Sequence, residues 1–485
     1  MDSPARIRLH ACVSFHNWDS VQRMRHLREG LEAAVDVIVQ YRESLPDAVV
    51  GSLATRGEVV DALPTSLPDG PAALDVVLKE LVAVAEPGLV ASAGPRYFGF
   101  VVGGSTDAAL MADVVAVGWD QMAFNEVSSP AALAFEDVAG SWLKQILGIP
   151  ASASTGFVTG AQAANTVGLA AARWQVLQDH GWDVGKDGLH GAPKVTVIVG
   201  AERHATIDRS LRFLGLGEHV IEVVPAREDG AMDAEALDGV MRASRSGPLI
   251  VCAQAGNVNT GAFDDLRRIA ELSKSHGAWL HVDGAFGLWA GASSHTRHLV
   301  DGIELADSWG CDGHKWLNVP YDSGYVFCAR PEVHAIAMGY TAEYLTGQEL
   351  DRQFGGGDFV PESSRRARGF ATWAALRSLG RTGVEHLVDR CCGLARRFAA
   401  GLDAIDGVEV VNDVVLNQVL VRIGDSETTD RVAEVVQTGG VAWIGTTTWH
   451  GERLIRISVS NWSTTEADVD MAIQAISDAL VSVRT

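Results

Sequence analysis

The sequence predicts an α/β fold built on a mainly parallel sheet that helices cover on both faces. From residue 155 to about residue 330, short β-rich runs alternate with helical stretches. Seven such runs occur there: TGFVT, KVTVIVG, HVIEVVP, PLIVCAQA, AWLHVDGAF, DSWGCDGHK and GYVFCAR. Because parallel strands are joined by crossover helices, this alternation indicates a sheet of seven strands with helices on both sides.

The regions on either side of this pattern predict two further parts. Residues 1–90 read mainly as helices, interrupted by the turn-forming LPTSLPDGP, and form an N-terminal helical segment. Residues 91–370 form the large α/β domain, which includes a helix over 129–147 with a strong N-cap signal. Residues 371–485 form a small α+β domain with four strand candidates, VEVVN, QVLVRIG, VAWIGTT and RLIRISVSN.

Composition limits the classes of partner. The 485 residues are 47% hydrophobic, and 39 Lys and Arg against 61 Asp and Glu give a net charge of −22. This balance disfavours nucleic acid or an anionic membrane as the main partner. The N-terminus lacks the apolar core of a signal peptide, and no apolar run reaches membrane-span length, so the cytoplasm is the expected location.

The six cysteines predict no metal site. They show no paired metal-ligand spacing, and most lie in apolar runs that are typical of buried free thiols in a reducing compartment. Cys311 and His314 have the spacing of half a zinc site, but the sequence contains no second half.

A candidate anion site lies where the first β-run ends. Thr159, Gly160 and Ala161 stand between that run and the helical stretch AANTVGLAAAR. Small residues at a helix start allow backbone N–H groups to approach a phosphate closely. Taken alone, the pattern fits an ordinary strand-to-helix turn equally well.

Three further residues follow β-runs, at the sheet edge where ligands bind in open parallel sheets. Asp283 can pair with a protonated ring nitrogen or cap a turn, and His204 can stack on a planar ligand or satisfy a structural role. Lys315 can form a Schiff base or extend its amine to solvent, and the adjacent His314 can donate to a phosphate. An anion cradle, an acid, an imidazole and a lysine together indicate pyridoxal phosphate as the cofactor.

The segments HVDGAF and DGHKWLNVPYDSG resemble the group II pyridoxal-phosphate-dependent amino acid decarboxylases. This family includes the aromatic-L-amino-acid, histidine and glutamate decarboxylases. GPRYFGF, SSPAALAFE, GNVNTGAFD and RISVSNWSTTEADVD also look like family segments, so the resemblance spans roughly residues 20–485. It implies fold type I of the pyridoxal-phosphate enzymes and an obligate homodimer, whose active site lies at the dimer interface and whose N-terminal helices wrap the partner subunit.

The resemblance also implies roles for individual residues. Lys315 forms the Schiff base with the cofactor, Asp283 pairs with the ring nitrogen, and His204 stacks on the ring and can touch the substrate. Ala285 is the small residue packed under the ring. The remaining implied cofactor contacts, at the phosphate end and around the ring, are Thr159, Gly160, Ala161, Asn257, Asp312 and His314.

Two segments bear on the reaction. MGYTAEYLTGQEL aligns with the family's mobile catalytic loop, which places Tyr344 as the residue that protonates the substrate carbon after CO2 leaves, unless it is only a loop aromatic. The arginines of SSRRARGFATW anchor that loop, meet a substrate carboxylate or form a solvated basic face. The substrate pocket is expected to draw on Phe98, Phe100 and residues near Asn125, partly from the other subunit.

The implied function is decarboxylation of an L-amino acid, most readily an aromatic one, to the amine and CO2. The alternatives are a decarboxylase of an acidic amino acid or diaminobutyrate, an oxidative aldehyde synthase, and another fold type I lyase or aminotransferase. A catalytically silent homologue that serves as a binding protein is a further alternative from a different class.

Overall fold

The structure is a computed structural model that describes residues 18–244, 247–339 and 356–485. The chain divides into two compact units, Met1–Ala91 and Ser92–Thr485. In the described part, no helix is both long enough and apolar enough to cross a lipid bilayer.

The first unit consists of helices α1 (Trp18–Ser44), α2 (Arg56–Ala62) and α3 (Leu74–Ala85). A capping box starts α2, in which Thr55 and Glu58 exchange side-chain and backbone hydrogen bonds. Helix α1 exposes apolar side chains at every fourth position, namely Leu27, Leu31, Val35 and Val39. This spacing places all four on one face of the helix. We call them the α1 stripe.

The second unit contains the remaining elements. Its helices are α4 (Asp107–Trp119), α5 (Pro130–Leu147), α6 (Ala161–Gln178), α7 (Val184–Asp187), α8 (Ala205–Phe213), α9 (Ala234–Ala243), α10 (Leu266–Ser275), α11 (Pro331–Met338), α12 (Gly369–Asp403), α13 (Ser426–Gly439) and α14 (Glu466–Arg484). Its strands are β1 (Ser154–Val158), β2 (Thr196–Gly200), β3 (Ile221–Val224), β4 (Leu249–Gln254), β5 (Trp279–Asp283), β6 (Ser308–Asp312), β7 (Gly324–Cys328), β8 (Val408–Val410), β9 (Gln418–Ile423), β10 (Gly445–Trp449) and β11 (Glu452–Ser458).

Strands β1 to β7 form one sheet in the order β1-β7-β6-β5-β4-β2-β3. Strand β7 runs antiparallel to both of its neighbours, and all other neighbouring pairs are parallel. The predicted mainly parallel seven-stranded sheet is therefore confirmed, with one strand for each of the seven apolar runs. These runs are nearly continuous because the central strands are buried on both faces.

A second sheet has the order β10-β11-β9-β8 and is antiparallel throughout. Strand β10 begins later than the run VAWIGTT predicts. The backbone of Trp443 bonds to Arg96 and Phe98 instead of to β11, and its ring stacks on Tyr97 at 4.9 Å. The position predicted to open the third domain, residue 371, lies inside α12. The two boundaries between the three domains predicted from the sequence remain predictions.

Candidate active site

A cavity of about 320 Å³ lies at the carboxyl ends of β1, β5 and β6. It brings together nine of the ten residues predicted to bind the cofactor: Thr159, Gly160, Ala161, His204, Asp283, Ala285, Asp312, His314 and Lys315. Strand register explains part of this convergence. Because β5 and β6 are parallel neighbours, Asp283 pairs with Gly310 and Asp312 lies just beyond it.

The carboxylate of Asp312 joins two parts of the site. Its Oδ2 lies 3.1 Å from the Lys315 Nζ, and its Oδ1 accepts the Ala161 N–H at 2.5 Å. The Asp312 side chain is only 4% exposed, whereas Lys315 is 23% exposed. The lysine amine is therefore held by a buried partner while its end stays open to the cavity.

The start of α6 forms the candidate anion site. Gly160 is its N-cap residue and supplies no side-chain cap, so Asp312, which accepts the Ala161 N–H, is the side chain that meets the start of the helix. A Cβ at Gly160 would lie 3.0 Å from Cε1 of His314 and 3.1 Å from Oδ1 of Asp312. The backbone at residue 160 thus lies so close to both side chains that a Cβ would be crowded there, which favours glycine. The start of the helix favours a bound phosphate.

Asp283 ends β5 and is buried. Its Oδ1 accepts the Ala285 N–H at 3.2 Å, and its Oδ2 lies 3.5 Å from the Thr206 hydroxyl. A buried carboxylate with only these neutral donors is stabilised further by a cation in the cavity. A protonated ring nitrogen would supply that charge.

Both imidazoles of the site have pKa values below the ordinary histidine value, chiefly because burial disfavours the charged form. For His204, the Lys315 charge acts in the same direction and Asp283 opposes it. His314 Nδ1 accepts the Ser323 N–H at 3.1 Å, so the proton of its neutral ring is on Nε2. His314 Nε2 lies 3.4 Å from Asp312 Oδ1, so its proton can be donated to that carboxylate or to a phosphate bound beside it.

The tenth predicted cofactor residue, Asn257, does not line the cavity. Its amide donates to the Glu202 carbonyl at 3.2 Å, and its Oδ1 accepts the N–H groups of Asn259 and Thr260. These contacts hold the turn after β4, and we leave Asn257 out of the proposed cofactor contacts. Tyr344 lies outside the described residues.

The expected aromatic pocket residues take different positions. Phe98 is 1% exposed and packs against Phe398 in the core, so its expected place in a substrate pocket is wrong. Phe100 is exposed and stacks on Trp443 at 5.6 Å. Phe286, which the sequence reading did not single out, lines the cavity instead.

The arginines of SSRRARGFATW are paired with carboxylates of the protein. Arg365 makes a buried two-bond contact with Glu136 at 2.5 and 2.6 Å. Arg366 pairs with Asp113, and Arg368 pairs with Asp322 at 2.9 Å. A solvated basic face is therefore excluded for Arg365 and Arg368, which are both largely buried.

Sequence reasoning missed Thr206, Gln162 and Gln254, which also line the cavity. Thr206 stands two residues after His204, and its hydroxyl lies 2.9 Å from the His204 Nδ1. Its proximity to His204 was the one signal available, since the contact with Asp283 comes from a distant part of the chain.

The site has the composition of one class of enzyme. A lysine amine that can capture an aldehyde, a buried carboxylate, an imidazole and an open helix start fit the aldehyde, ring nitrogen, ring face and phosphate of pyridoxal phosphate. Residues 57–423 match the family model described as the pyridoxal-dependent decarboxylase conserved domain. The chain belongs to this family and is a pyridoxal-phosphate-dependent carboxy-lyase.

Known proteins resemble the chain over nearly its whole length. It is 28% identical to the aromatic-L-amino-acid decarboxylase of Bacillus atrophaeus, over 95% of this chain and 96% of that protein. It is 26% identical to the phenylacetaldehyde synthase of Arabidopsis thaliana, over 93% and 95%. The crystal structure of Oryza sativa TDC with PLP and tryptamine superposes with a TM-score of 0.88 and 26% identity, over 97% and 100%. The predicted family, fold and cofactor are thus confirmed.

Proposed function

We propose that the protein decarboxylates an aromatic L-amino acid to the corresponding amine and CO2. The observation that carries this proposal is the convergence of Lys315, Asp283 and the start of α6 on one cavity. These groups are positioned to hold the aldehyde, the ring nitrogen and the phosphate of one cofactor molecule.

Pyridoxal phosphate, when bound, supplies an electron sink for the carbon that loses CO2. Lys315 would hold the cofactor through its amine, and Asp283 would keep a proton on the ring nitrogen, where charge develops as the carboxylate leaves. His204, in its neutral form, and Ala285 would line the space for the ring.

The last step is a proton transfer to the substrate carbon. We assign it to Tyr344, on the basis of the sequence resemblance alone. Because a tyrosine at this position is expected to deliver the proton, the proposed product is the amine and not the aldehyde.

Two observations support an uncharged aromatic side chain in the substrate. Among the described residues that line the cavity there is no arginine, the side chain best suited to a second carboxylate. Apolar surface is supplied by Phe286 and Val258. The names of several relatives point the same way, since they include aromatic amino acid decarboxylases and an aldehyde synthase of an aromatic compound. The L-2,4-diaminobutyrate decarboxylase of Acinetobacter baumannii, 29% identical over 63% of this chain, represents the alternative substrate.

The proposed assembly is a homodimer in the cytoplasm. The α1 stripe exposes four large apolar side chains, and Leu74, Val77 and Leu81 of α3 are also exposed. An apolar groove lined by residues of α1 and α3 lies in the same unit. Apolar surface of this extent is normally covered by a partner, and a second copy is the proposed one.

The test is CO2 release from a panel of L-amino acids, with purified protein and added pyridoxal phosphate. We expect CO2 and the matching amine from tryptophan, tyrosine, phenylalanine or DOPA, without hydrogen peroxide. Lys315→Ala is expected to lose turnover and the visible absorption band of the lysine-linked cofactor, whereas Lys274→Ala on α10 keeps both.

Other products would redirect the assignment. CO2 with peroxide, ammonia and an aldehyde would identify an oxidative aldehyde synthase and remove the role given to Tyr344. CO2 from glutamate, aspartate or diaminobutyrate alone would contradict the aromatic substrate. Full turnover in Lys315→Ala would contradict the mechanism.

A further inference from the structure

A chain of hydrogen bonds runs beneath α6 and ends at Asp283. Trp279 Nε1 lies 2.9 Å from the Ser308 hydroxyl, which lies 2.9 Å from His281 Nδ1. His281 Nε2 lies 3.1 Å from Asn165 Oδ1, and Asn165 Nδ2 lies 3.3 Å from the Thr206 hydroxyl. These four residues before Thr206 are at most 1% exposed. We call this set the Trp279 chain.

The direction of the bonds in the Trp279 chain follows from Asn165. Its Nδ2 donates to Thr206, so its Oδ1 must accept the proton of His281 Nε2. Burial lowers the His281 pKa to about 3, so the ring is neutral and Nδ1 carries no proton. His281 Nδ1 therefore accepts from the Ser308 hydroxyl, whose oxygen accepts from the Trp279 N–H.

The backbone around the chain leaves space for it. A Cβ at Gly310 would lie 2.4 Å from Asn165 Oδ1, and a Cβ at Gly168 would lie 2.7 Å from His281 Nδ1. Both distances are too short for a side chain. Glycine at these two positions lets α6 pack closely enough on β5 and β6 to connect Asn165 with His281.

At the end nearest the cavity, the Thr206 hydroxyl accepts a hydrogen bond from the Asn165 amide, so its own proton goes to a different neighbour. Two groups are near: His204 Nδ1 at 2.9 Å and Asp283 Oδ2 at 3.5 Å. A contact of 2.9 Å requires one proton between the Thr206 oxygen and His204 Nδ1. When the neutral ring carries its proton on Nδ1, the Thr206 oxygen accepts from His204 as well as from Asn165, and its own proton goes to Asp283, whose charge makes it the stronger acceptor.

We propose that the Trp279 chain makes Thr206 a hydrogen-bond donor to Asp283 and so keeps the proton shared by Asp283 and the cofactor on the ring nitrogen. This inference rests on the proposed function, because it needs the ring nitrogen opposite Asp283. A carboxylate that accepts an additional hydrogen bond is a weaker base, so it takes the shared proton less readily. Thr206, Asn165, His281 and Ser308 are then positioning residues that act through Asp283.

Removing Ser308 should loosen the direction of the chain. Without its hydroxyl, His281 Nδ1 loses its hydrogen-bond partner, and only Asn165 holds the ring proton on Nε2. In molecules whose Asn165 amide flips, Oδ1 accepts the Thr206 hydroxyl proton and draws it away from Asp283. Ser308→Ala is therefore expected to shift the ring-nitrogen resonance in the same direction as Thr206→Val, and by less.

The experiment is 15N NMR of the holoenzyme loaded with cofactor labelled at the ring nitrogen. Thr206→Val and Ser308→Ala are expected to shift this resonance toward the position of the neutral ring. Thr206→Ser, which keeps the hydroxyl, and Ser273→Ala, which removes a buried hydroxyl outside the Trp279 chain, should match the wild type. We also expect the cofactor dissociation constant of Thr206→Val to rise about tenfold, the equivalent of one hydrogen bond to a charged group.

The outcomes separate this inference from the function on which it rests. An unchanged ring-nitrogen resonance in Thr206→Val overturns the inference, and so does a shift of the same size in Ser273→Ala. If Ser308→Ala does not fold, the comparison of Thr206→Val with Thr206→Ser still shows whether the Thr206 hydroxyl acts on Asp283. A wild-type protein that binds no cofactor would instead overturn the proposed function.

Discussion

The buried pair of Arg365 and Glu136 allows a prediction with a worked magnitude. The two side chains are 1% and 4% exposed and are joined by two hydrogen bonds of 2.5 and 2.6 Å. Arg365→Met would leave the Glu136 carboxylate buried without its hydrogen-bonded cation, with Arg368 as the nearby positive charge that remains. The expected loss in free energy of unfolding is about 3–5 kcal/mol.

A second pair with the same chemistry provides the control. Arg397 and Asp470 are joined by two hydrogen bonds of 2.7 Å, but their side chains are 42% and 53% exposed. Water stabilises the Asp470 carboxylate whether or not Arg397 is present. Arg397→Met is therefore expected to lower the free energy of unfolding by about 0.2–1 kcal/mol. Arg397 also lies 3.2 Å from Glu466, so the control removes at least as many charge contacts as Arg365→Met does, and a smaller loss would be due to exposure.

Urea unfolding followed by circular dichroism measures both losses. The double variant Glu136→Met/Arg365→Met removes both charges and should recover most of the stability lost in Arg365→Met, because a buried ion pair can be replaced by apolar side chains at little cost. Equal small losses in Arg365→Met and Arg397→Met would refute the reasoning. A double variant as unstable as Arg365→Met would show that packing, and not the unpaired charge, sets the cost.

Three further predictions concern pH, packing and assembly. Burial lowers the His334 pKa to about 3, so below about pH 6.5 the unfolded chain binds a proton that the native state does not. This group should therefore lower the free energy of unfolding by up to about 1.4 kcal/mol for each unit of decreasing pH. In urea unfolding measured between about pH 6.5 and 5, His334→Phe should make the free energy of unfolding depend less on pH. Gly310→Ala should cost about 1–3 kcal/mol in thermal unfolding because its Cβ would lie 2.4 Å from Asn165 Oδ1, whereas Gly393→Ala on α12, with no atom within 4 Å, should gain about 0.5–1 kcal/mol; losses of equal size would contradict the packing argument. Leu31→Asp on the α1 stripe should shift sedimentation toward the monomer, and an unchanged dimer would place the interface elsewhere.

Much of the large sheet could be predicted because its strands carry local signals. Strands buried on both faces read as apolar runs, and each of the seven runs became a strand. A local signal also identified Asp283 and Lys315, since each is a polar residue at or just beyond the end of a buried strand. The rule that ligands bind at the carboxyl ends of parallel strands then placed them together.

What escaped prediction depends on contacts between distant segments. Thr206 and Asn165 look like ordinary helix residues until α6 and α8 pack against the sheet. Asn257 follows a strand as Asp283 does, but its amide turns into its own loop. The late start of β10 has the same origin, because Trp443 bonds to backbone more than three hundred residues earlier in the chain.

The antiparallel strand β7 has a consequence for how the protein is made. Among the described strands, β1 pairs only with β7, and the Ser154 hydroxyl bonds to the Cys328 carbonyl across a separation of 174 residues. At about 5–20 residues per second, a ribosome needs roughly ten to thirty seconds to add that stretch. During this interval β1, and the start of α6 that follows it, lack the neighbour that holds them beside β6. The phosphate end of the site is thus synthesised early, but it is completed only after Lys315 and β7 have been synthesised.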